Sequence, residues 1–280
     1  MKYMGSKERI SAEILPIILK DKKDYDLYIE PFCGSLAVIE KVTDIKRFAS
    51  DKNPYLIAMW KGLRFGLDKP MDISRSLYNE YRNKYNTLKK CSQCQKDFSH
   101  TINFVGEDTI DQYRTPHSMM HNKITFRDLF LIGWIGYMAS FNGRFYDGGY
   151  YGKSGNQNYV DEQIRNTMKQ VPLLKDIDFH FRDFEGIHNM TLNMLLRGYG
   201  ERFIFYCDIP YKGTKQYEYS KEFNYELFYM MCRYLSRDGH KIFVSEYQMP
   251  DDFTCVWEKE VTNSMNLTKT KKSVERLFTL

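Results

Sequence analysis

The chain has 280 residues, 42% hydrophobic and 16% aromatic, which suits one large domain or a core with an insert. Its net charge of +5 permits a polyanionic partner without requiring one. Met1-Lys2-Tyr3-Met4-Gly5-Ser6-Lys7 holds no apolar signal core, and the most apolar stretch, Leu129 to Ala139, is too short to cross a bilayer. Cysteines at 33, 91, 94, 207, 232 and 255 are too scattered for a disulfide framework, so a reducing compartment and a soluble intracellular protein are expected.

Between residues 7 and 20, Ile10, Ile14, Leu15, Ile17 and Ile18 recur among charges and predict a first helix. Tyr28-Ile29-Glu30 predicts a short strand, Pro31 to Ser35 a turn, and Leu36 to Val42 a helix. Lys46 to Asp51 predicts a second strand that ends in an acid, and Asn53-Pro54 opens a helix through Trp60. That order opens a nucleotide-type α/β fold. From about 64 to 160 strand signals are few, tyrosines and asparagines are many, and Gly143 to Lys153 is rich in glycine. Over 64–96 eight bases, among them Arg75, Arg82 and Lys84, outnumber the acids Asp68, Asp72 and Glu80. The α/β pattern then resumes, with strands predicted at Ile177 to Phe181, Phe203 to Cys207 and Lys241 to Ser245 and a helix at Phe223 to Leu235. The expected fold class is α/β, one core interrupted by a basic, aromatic insert.

Asp208-Ile209-Pro210-Tyr211 closes the apolar run Phe203 to Cys207, and ligands of open α/β sheets bind at such strand ends. The acid can accept a hydrogen bond from an exocyclic amine, the carbonyl before the proline a second, and the ring can stack on a planar base. Those groups suit methylation of a nucleobase amine, although an ordinary strand end with a turn proline accounts for the four letters equally well. Glu30-Pro31-Phe32-Cys33-Gly34-Ser35-Leu36 has one glycine, too few free N–H groups for a pyrophosphate. Asp51 follows Glu30 by 21 positions (51 − 30) and can bond ribose hydroxyls. A nucleoside without phosphates points to S-adenosylmethionine; the plainer reading of both acids is solvated strand-end carboxylates.

Four blocks together resemble the D12 class, or Dam-like, DNA N6-adenine methyltransferases, closest to those of phages and prophages. They are Tyr3-Met4-Gly5-Ser6-Lys7, Glu30-Pro31-Phe32-Cys33-Gly34, Phe181-Arg182-Asp183-Phe184 and Asp208-Ile209-Pro210-Tyr211. Smaller matches are Ser140 to Phe145, Val244-Ser245-Glu246-Tyr247 and Glu275-Arg276-Leu277-Phe278, so the resemblance spans nearly the whole chain. It implies a Rossmann-like S-adenosylmethionine-dependent core over 1–63 and 165–280, with a mostly helical and loop target-recognition insert over 64–164. It further implies a site-specific enzyme acting on double-stranded DNA that flips adenine out of the duplex. Asp208 and the Ile209 carbonyl would accept the two N6 hydrogens, Pro210 would stiffen the turn, and Tyr211 would stack on the base. Tyr3 and Lys7 would flank the cofactor, Asp183 would hold its adenine and Phe184 would pack beside it. Glu30, Pro31, Phe32, Gly34, Asp51 and Asp208 complete the implied cofactor set.

Two residues depart from the family pattern. Ile209 replaces a proline but keeps the carbonyl that the chemistry needs. Leu36 replaces a small residue and either narrows the cofactor pocket or faces the core. Cys207 reads as a small buried strand residue, since no covalent intermediate is needed. Asn142, Arg144, Tyr146 and Lys153 are the candidate DNA contacts, with a tyrosine-rich turn packed on the core as the alternative. Lys269, Lys271, Lys272 and Arg276 form a second basic patch or a solvated tail. Cys91, Cys94, His117 and His121 are candidate zinc ligands, but the long gap from Cys94 to His117 favours free thiols in a loop-rich insert. The expected setting is bacterial or phage-infected cytoplasm at the nucleoid, no membrane, a monomer or weak dimer, with a cognate restriction endonuclease as a candidate partner. Two other readings stand beside this one: an impaired DNA-bound regulator on the same fold, and an enzyme for RNA or a protein amide, whose relatives usually begin the tetrapeptide with asparagine.

Overall fold

The computed structural model describes residues 1–91, 98, 101–103, 105–106, 124–186, 198, 200–214, 223–263 and 271–280. Its strands are β1 (Leu27–Glu30), β2 (Lys46–Asp51), β3 (Lys153–Ser154), β4 (Gln157–Asn158), β5 (Ile177–Phe181), β6 (Phe203–Asp208), β7 (Lys241–Ser245), β8 (Thr254–Asn263) and β9 (Lys271–Thr279). Its helices are α1 (Ser11–Ile18), α2 (Pro54–Arg64), α3 (Arg75–Lys89), α4 (Phe126–Ala139), α5 (Tyr159–Met168) and α6 (Tyr225–Arg237). Seven strands form one sheet in the order β5-β2-β1-β6-β7-β9-β8, and β3 and β4 form a small hairpin. β1 pairs in parallel with β2 and β6, and β6 with β7, whereas β9 runs antiparallel to both β7 and β8. The mixed α/β class expected from the sequence is the class observed.

Contacts divide the chain into two interleaved units. The first comprises 1–7, 34–41 and 51–182, the second 8–33, 42–50 and 183–280. In the first unit α2 starts at Asn53, whose side chain accepts from the N–H groups of Tyr55 and Leu56, with Pro54 at the first helical position. Thr125 and Asp128 form a capping box that starts α4. α4 is apolar nearly all round and packs on α2 at close range. A Cβ on Gly133 would lie 2.1 Å from the Tyr55 carbonyl oxygen, and one on Gly62 would lie 2.3 Å from the Phe130 ring. The two glycines therefore permit the crossing. Among the described residues no helix is long and apolar enough to cross a membrane. Asn103 meets β5 with its side-chain amide, donating to the Phe181 carbonyl at 3.0 Å and accepting from the Phe181 N–H at 2.8 Å.

In the second unit β1 is buried along its length and β6 is buried from Phe203 to Cys207. Strands covered on both faces read as continuous apolar runs, which is why both were visible in the sequence. α6 lays Phe228, Cys232 and Leu235 on this core, a spacing of one helical face. His240 anchors the start of β6: its Nδ1 accepts from the Phe203 N–H at 3.2 Å and its ring stacks on Phe203 at 5.0 Å.

Two expectations about elements fail. Leu36 to Val42 is not an α-helix; only a 3-10 turn forms at Ile39–Lys41. Leu36 has φ 63°, a left-handed conformation that interrupts any helical run. Lys271, Lys272 and Arg276 are not on a loose tail but on β9. Lys272 pairs with Glu260 at 2.7 Å across the hairpin, and Arg276 with Glu258 at 3.1 Å. Lys269 lies outside the described residues.

Candidate active site

In the first unit the glycine turn is held by its backbone. The Gly34 N–H donates to Asp51 Oδ2 at 3.2 Å, and the Asn53 N–H donates to Asp51 Oδ1 at 2.9 Å. The Gly34 carbonyl accepts from the Trp60 indole at 3.0 Å. At φ 44°, Gly34 also lies under Tyr3: a Cβ there would sit 3.1 Å from the ring. Asp51 thus joins the end of β2, the turn and the start of α2. The Arg182 N–H donates to the Asp51 carbonyl at 3.1 Å, which brings the end of β5 to the same place.

Tyr3 and Lys7 reach this turn on an arm fixed by two buried glutamines of the α5 region. The Lys2 N–H donates to Gln163 Oε1 and Gln163 Nε2 donates back to the Lys2 carbonyl, each at 2.8 Å. Gln170 Nε2 donates to the Ser35 carbonyl at 3.0 Å and to Glu40 Oε2 at 2.5 Å. Ser6 and Ser35 share a hydroxyl bond of 3.0 Å. Tyr3 stands 5.8 Å from Tyr137, whose hydroxyl accepts from Asn53 Nδ2 at 2.8 Å. Lys7 is buried and donates to the Gly5 carbonyl at 3.2 Å. Trp60, Gln163 and Gln170 were not singled out in the sequence; long-range glutamine pairings leave no local signal.

In the second unit Glu30 ends β1, buried, and accepts from the Tyr28 hydroxyl at 2.7 Å. Burial first, and then the charge and hydrogen bond of Glu30, push the Tyr28 phenol well above its ordinary value. Pro31 is buried beside it. Phe32 and Phe184 meet with ring centres 6.0 Å apart and share Phe223 and Phe228 as neighbours. Two residues taken from separate sequence blocks are thereby brought together. Asp183 is half-buried ahead of Phe184, and its carbonyl accepts from the Gly186 N–H at 3.1 Å.

The tetrapeptide closes β6. Asp208 is half-buried and Ile209 is buried. The Pro210 carbonyl accepts from the Tyr225 hydroxyl at 2.9 Å, and the Tyr211 hydroxyl donates to Glu275 Oε2 at 2.7 Å. Tyr211 keeps 9% of its surface open and packs edge-on against Tyr247 at 4.6 Å. Burial, then the charges of Asp208 and Glu275, hold its phenol protonated far above the usual value. Cys207 is buried, and burial likewise pushes its thiol well above the ordinary value. Leu36, in the first unit, is fully buried, which is the core-facing alternative for that position.

The candidate DNA contacts differ among themselves. Asn142 and Lys153 are exposed, while Arg144 is half-buried with its Nε lacking a hydrogen-bond partner among the described residues. Tyr146 is buried, gives its hydroxyl to the Ile132 carbonyl at 3.0 Å and stacks on Tyr85 at 5.2 Å, so its ring belongs to the core of its unit. Gly143 lies so close to the N-terminal arm that a Cβ would stand 2.2 Å from the Lys2 carbonyl oxygen. For zinc, Cys94, His117 and His121 lie outside the described residues; Cys91 is half-buried, and no group of three metal-ligating side chains occurs among the described residues.

A family model of D12 class N6 adenine-specific DNA methyltransferases matches residues 3–273. Among solved structures the chain is similar to the rRNA methyltransferase aviRa from Streptomyces viridochromogenes. The two share 10% identity over 98% of this chain and 84% of that one, and a TM-score of 0.36 gives this likeness no weight here. No curated protein matches the chain. A match that leaves out only two residues at one end and seven at the other, and that takes in the blocks at 3–7, 30–34, 181–184 and 208–211, places the chain in the family: it belongs to the D12 class N6 adenine-specific DNA methyltransferases.

Proposed function

We propose how this chain divides the labour of its family's reaction, methyl transfer from S-adenosylmethionine to N6 of adenine in DNA. The carboxylate of Asp208 and the carbonyl of Ile209 accept the two N6 hydrogens and aim the nitrogen. Tyr211 stacks on the base. The observation that carries this reading is the place of the tetrapeptide, at the carboxyl end of β6 and flanked by the parallel strands β1 and β7. Positioning supplies most of the rate, as expected when a bimolecular step becomes effectively unimolecular. Asp208 also offers an acceptor for the proton that N6 sheds.

The turn residues fit a nucleoside sulfonium better than a phosphate ester. In the first unit the turn offers one glycine, and Asp51 already binds two backbone N–H groups, which leaves few donors for a phosphate. Tyr3, Lys7, Gly34 and Asp51 of the first unit and Glu30, Pro31, Phe32, Asp183 and Phe184 of the second are the proposed cofactor residues. When bound, S-adenosylmethionine supplies an electrophilic methyl group on sulfur. The adenine is flipped out of the duplex at a cost of a few kcal/mol. Residues 64–164 are the proposed recognition insert, with exposed Asn142 and Lys153 as DNA contacts and Arg144 beside them. Tyr146 then shapes the loop from within rather than touching DNA.

Tritiated methyl transfer to adenine-unmethylated genomic DNA tests the reading. Asp208→Ala is expected to lower turnover about a thousandfold, far more than it lowers cofactor affinity. Near-normal turnover in that variant would remove Asp208 from the chemistry.

A further inference from the structure

We propose that Glu275, on β9, is a positioning residue: by accepting the Tyr211 hydroxyl it fixes the plane of the ring on which the target base stacks. The inference rests on the reading of Tyr211 given above. It starts from register. β7 ends at Ser245, opposite Leu277, so Glu275 and Arg276 lie past the last paired residue of β7. β8 keeps them in a strand there, with Arg276 opposite Glu258 and Glu275 opposite Lys259. β9 thus overhangs the carboxyl end of its neighbour and reaches the turns that follow β6 and β7.

What it reaches is one connected set of contacts. Glu275 takes the Tyr211 hydroxyl at 2.7 Å. Arg276 Nη1 donates to the Tyr247 carbonyl at 2.6 Å, and the Tyr247 ring stands edge-on to Tyr211 with 78° between planes. Glu246, only 1% exposed, accepts from the Tyr247 N–H at 2.6 Å and from the Lys212 N–H at 2.9 Å. The residue after Tyr211 and the residue packed against its ring therefore share one buried carboxylate. A tyrosine ring has two torsions, and these contacts fix both: the neighbouring ring sets the tilt, and the carboxylate pins the far end. A phenol kept protonated is always a donor, and a hydrogen bond to a charged acceptor is among the stronger kinds. Asp208 and Ile209 set where the amine goes; Glu275 sets where the base plane goes, and a base tilted out of that plane presents its amine badly.

A double-mutant cycle on the full chain tests this, with kcat and KM for DNA and cofactor affinity measured separately. Glu275→Ala and Tyr211→Phe should each lower kcat about tenfold, equivalent to about 1.4 kcal/mol, with cofactor affinity within about twofold. The double variant should be no worse than either single one, because both remove the same bond. Glu275→Gln, whose amide oxygen still accepts, should recover most of kcat. Losses that multiply in the double variant, or a Glu275→Ala enzyme with normal kcat, would overturn the inference. If Glu275→Ala does not fold, Glu275→Gln combined with Tyr211→Phe serves: it should match Tyr211→Phe alone, and a further loss counts against the proposal. Tyr211→Ala with full activity would instead sink the stacking assignment itself.

Discussion

The turn after β1 and the turn after β6 follow neighbouring parallel strands, yet they are held in opposite ways. The first is held through its main chain: N–H groups of Cys33 and Gly34 and the carbonyl of Gly34 are all engaged, and Gly34 and Leu36 both take positive φ. The second is held through side chains, by the Tyr211 and Tyr225 hydroxyls and by the carboxylates of Glu246 and Glu275. The first should fail when its shape is changed, the second when an acceptor is removed or a charge is altered. A turn that fits a bound nucleoside closely gains from a rigid backbone, whereas a turn that must present a ring and an acid gains from partners aimed at them.

The sharpest test of the first turn is Gly34→Ala. The new Cβ meets Tyr3 and the left-handed backbone costs about 1–2 kcal/mol. Cofactor affinity should fall about tenfold or more, while kcat at saturating cofactor stays within about threefold, the reverse of the split expected for Asp208→Ala. Equilibrium cofactor binding beside turnover decides it; a loss confined to kcat would erase the contrast between the turns. A second test of the same turn is Leu36→Gly. It relieves about 1 kcal/mol of strain but empties a fully buried site, so net stability should fall by about 2–3 kcal/mol in urea unfolding. A more stable variant would show that strain outweighs packing.

The smallest expected effect concerns the start of β6. Burial lowers the His240 imidazole below its ordinary value. Below about pH 6.5 the unfolded chain therefore binds a proton that the folded chain resists, and stability drops as pH falls through that range. Urea midpoints at pH 7.5 and 5 should differ more for the wild type than for His240→Gln. Equal slopes would mean that His240 does not link β6 to pH.

β1, β6 and β7 were legible because they are buried nearly throughout, and β2, β5 and β7 have the bounds expected from the sequence. β8 and β9 were not, because a half-exposed antiparallel hairpin carries runs such as Glu258-Lys259-Glu260 that resemble solvated loop. The tetrapeptide and the glycine turn were legible as motifs. Their supports were not: Glu275 stands 64 residues from Tyr211, and a hydrogen bond at that separation leaves no periodicity. Leu36 was singled out in the sequence, but its backbone conformation cannot be inferred from its identity. Tyr146 looked like a loop aromatic because burial within a glycine-rich stretch has no local signature.

Asn103 bears on how the stretch between α2 and β5 could be exchanged. Its amide stands in for a missing strand, offering Phe181 one donor and one acceptor at the rim of the sheet. The Ile102 carbonyl beside it accepts from the buried Lys61 ammonium at 2.8 Å. A grafted segment would have to arrive with both adapters, a carboxamide and an adjacent free carbonyl, or leave a rim unpaired and a buried cation without its oxygen. Exchange of the stretch between α2 and β5 therefore depends on two adjoining residues that plug it in.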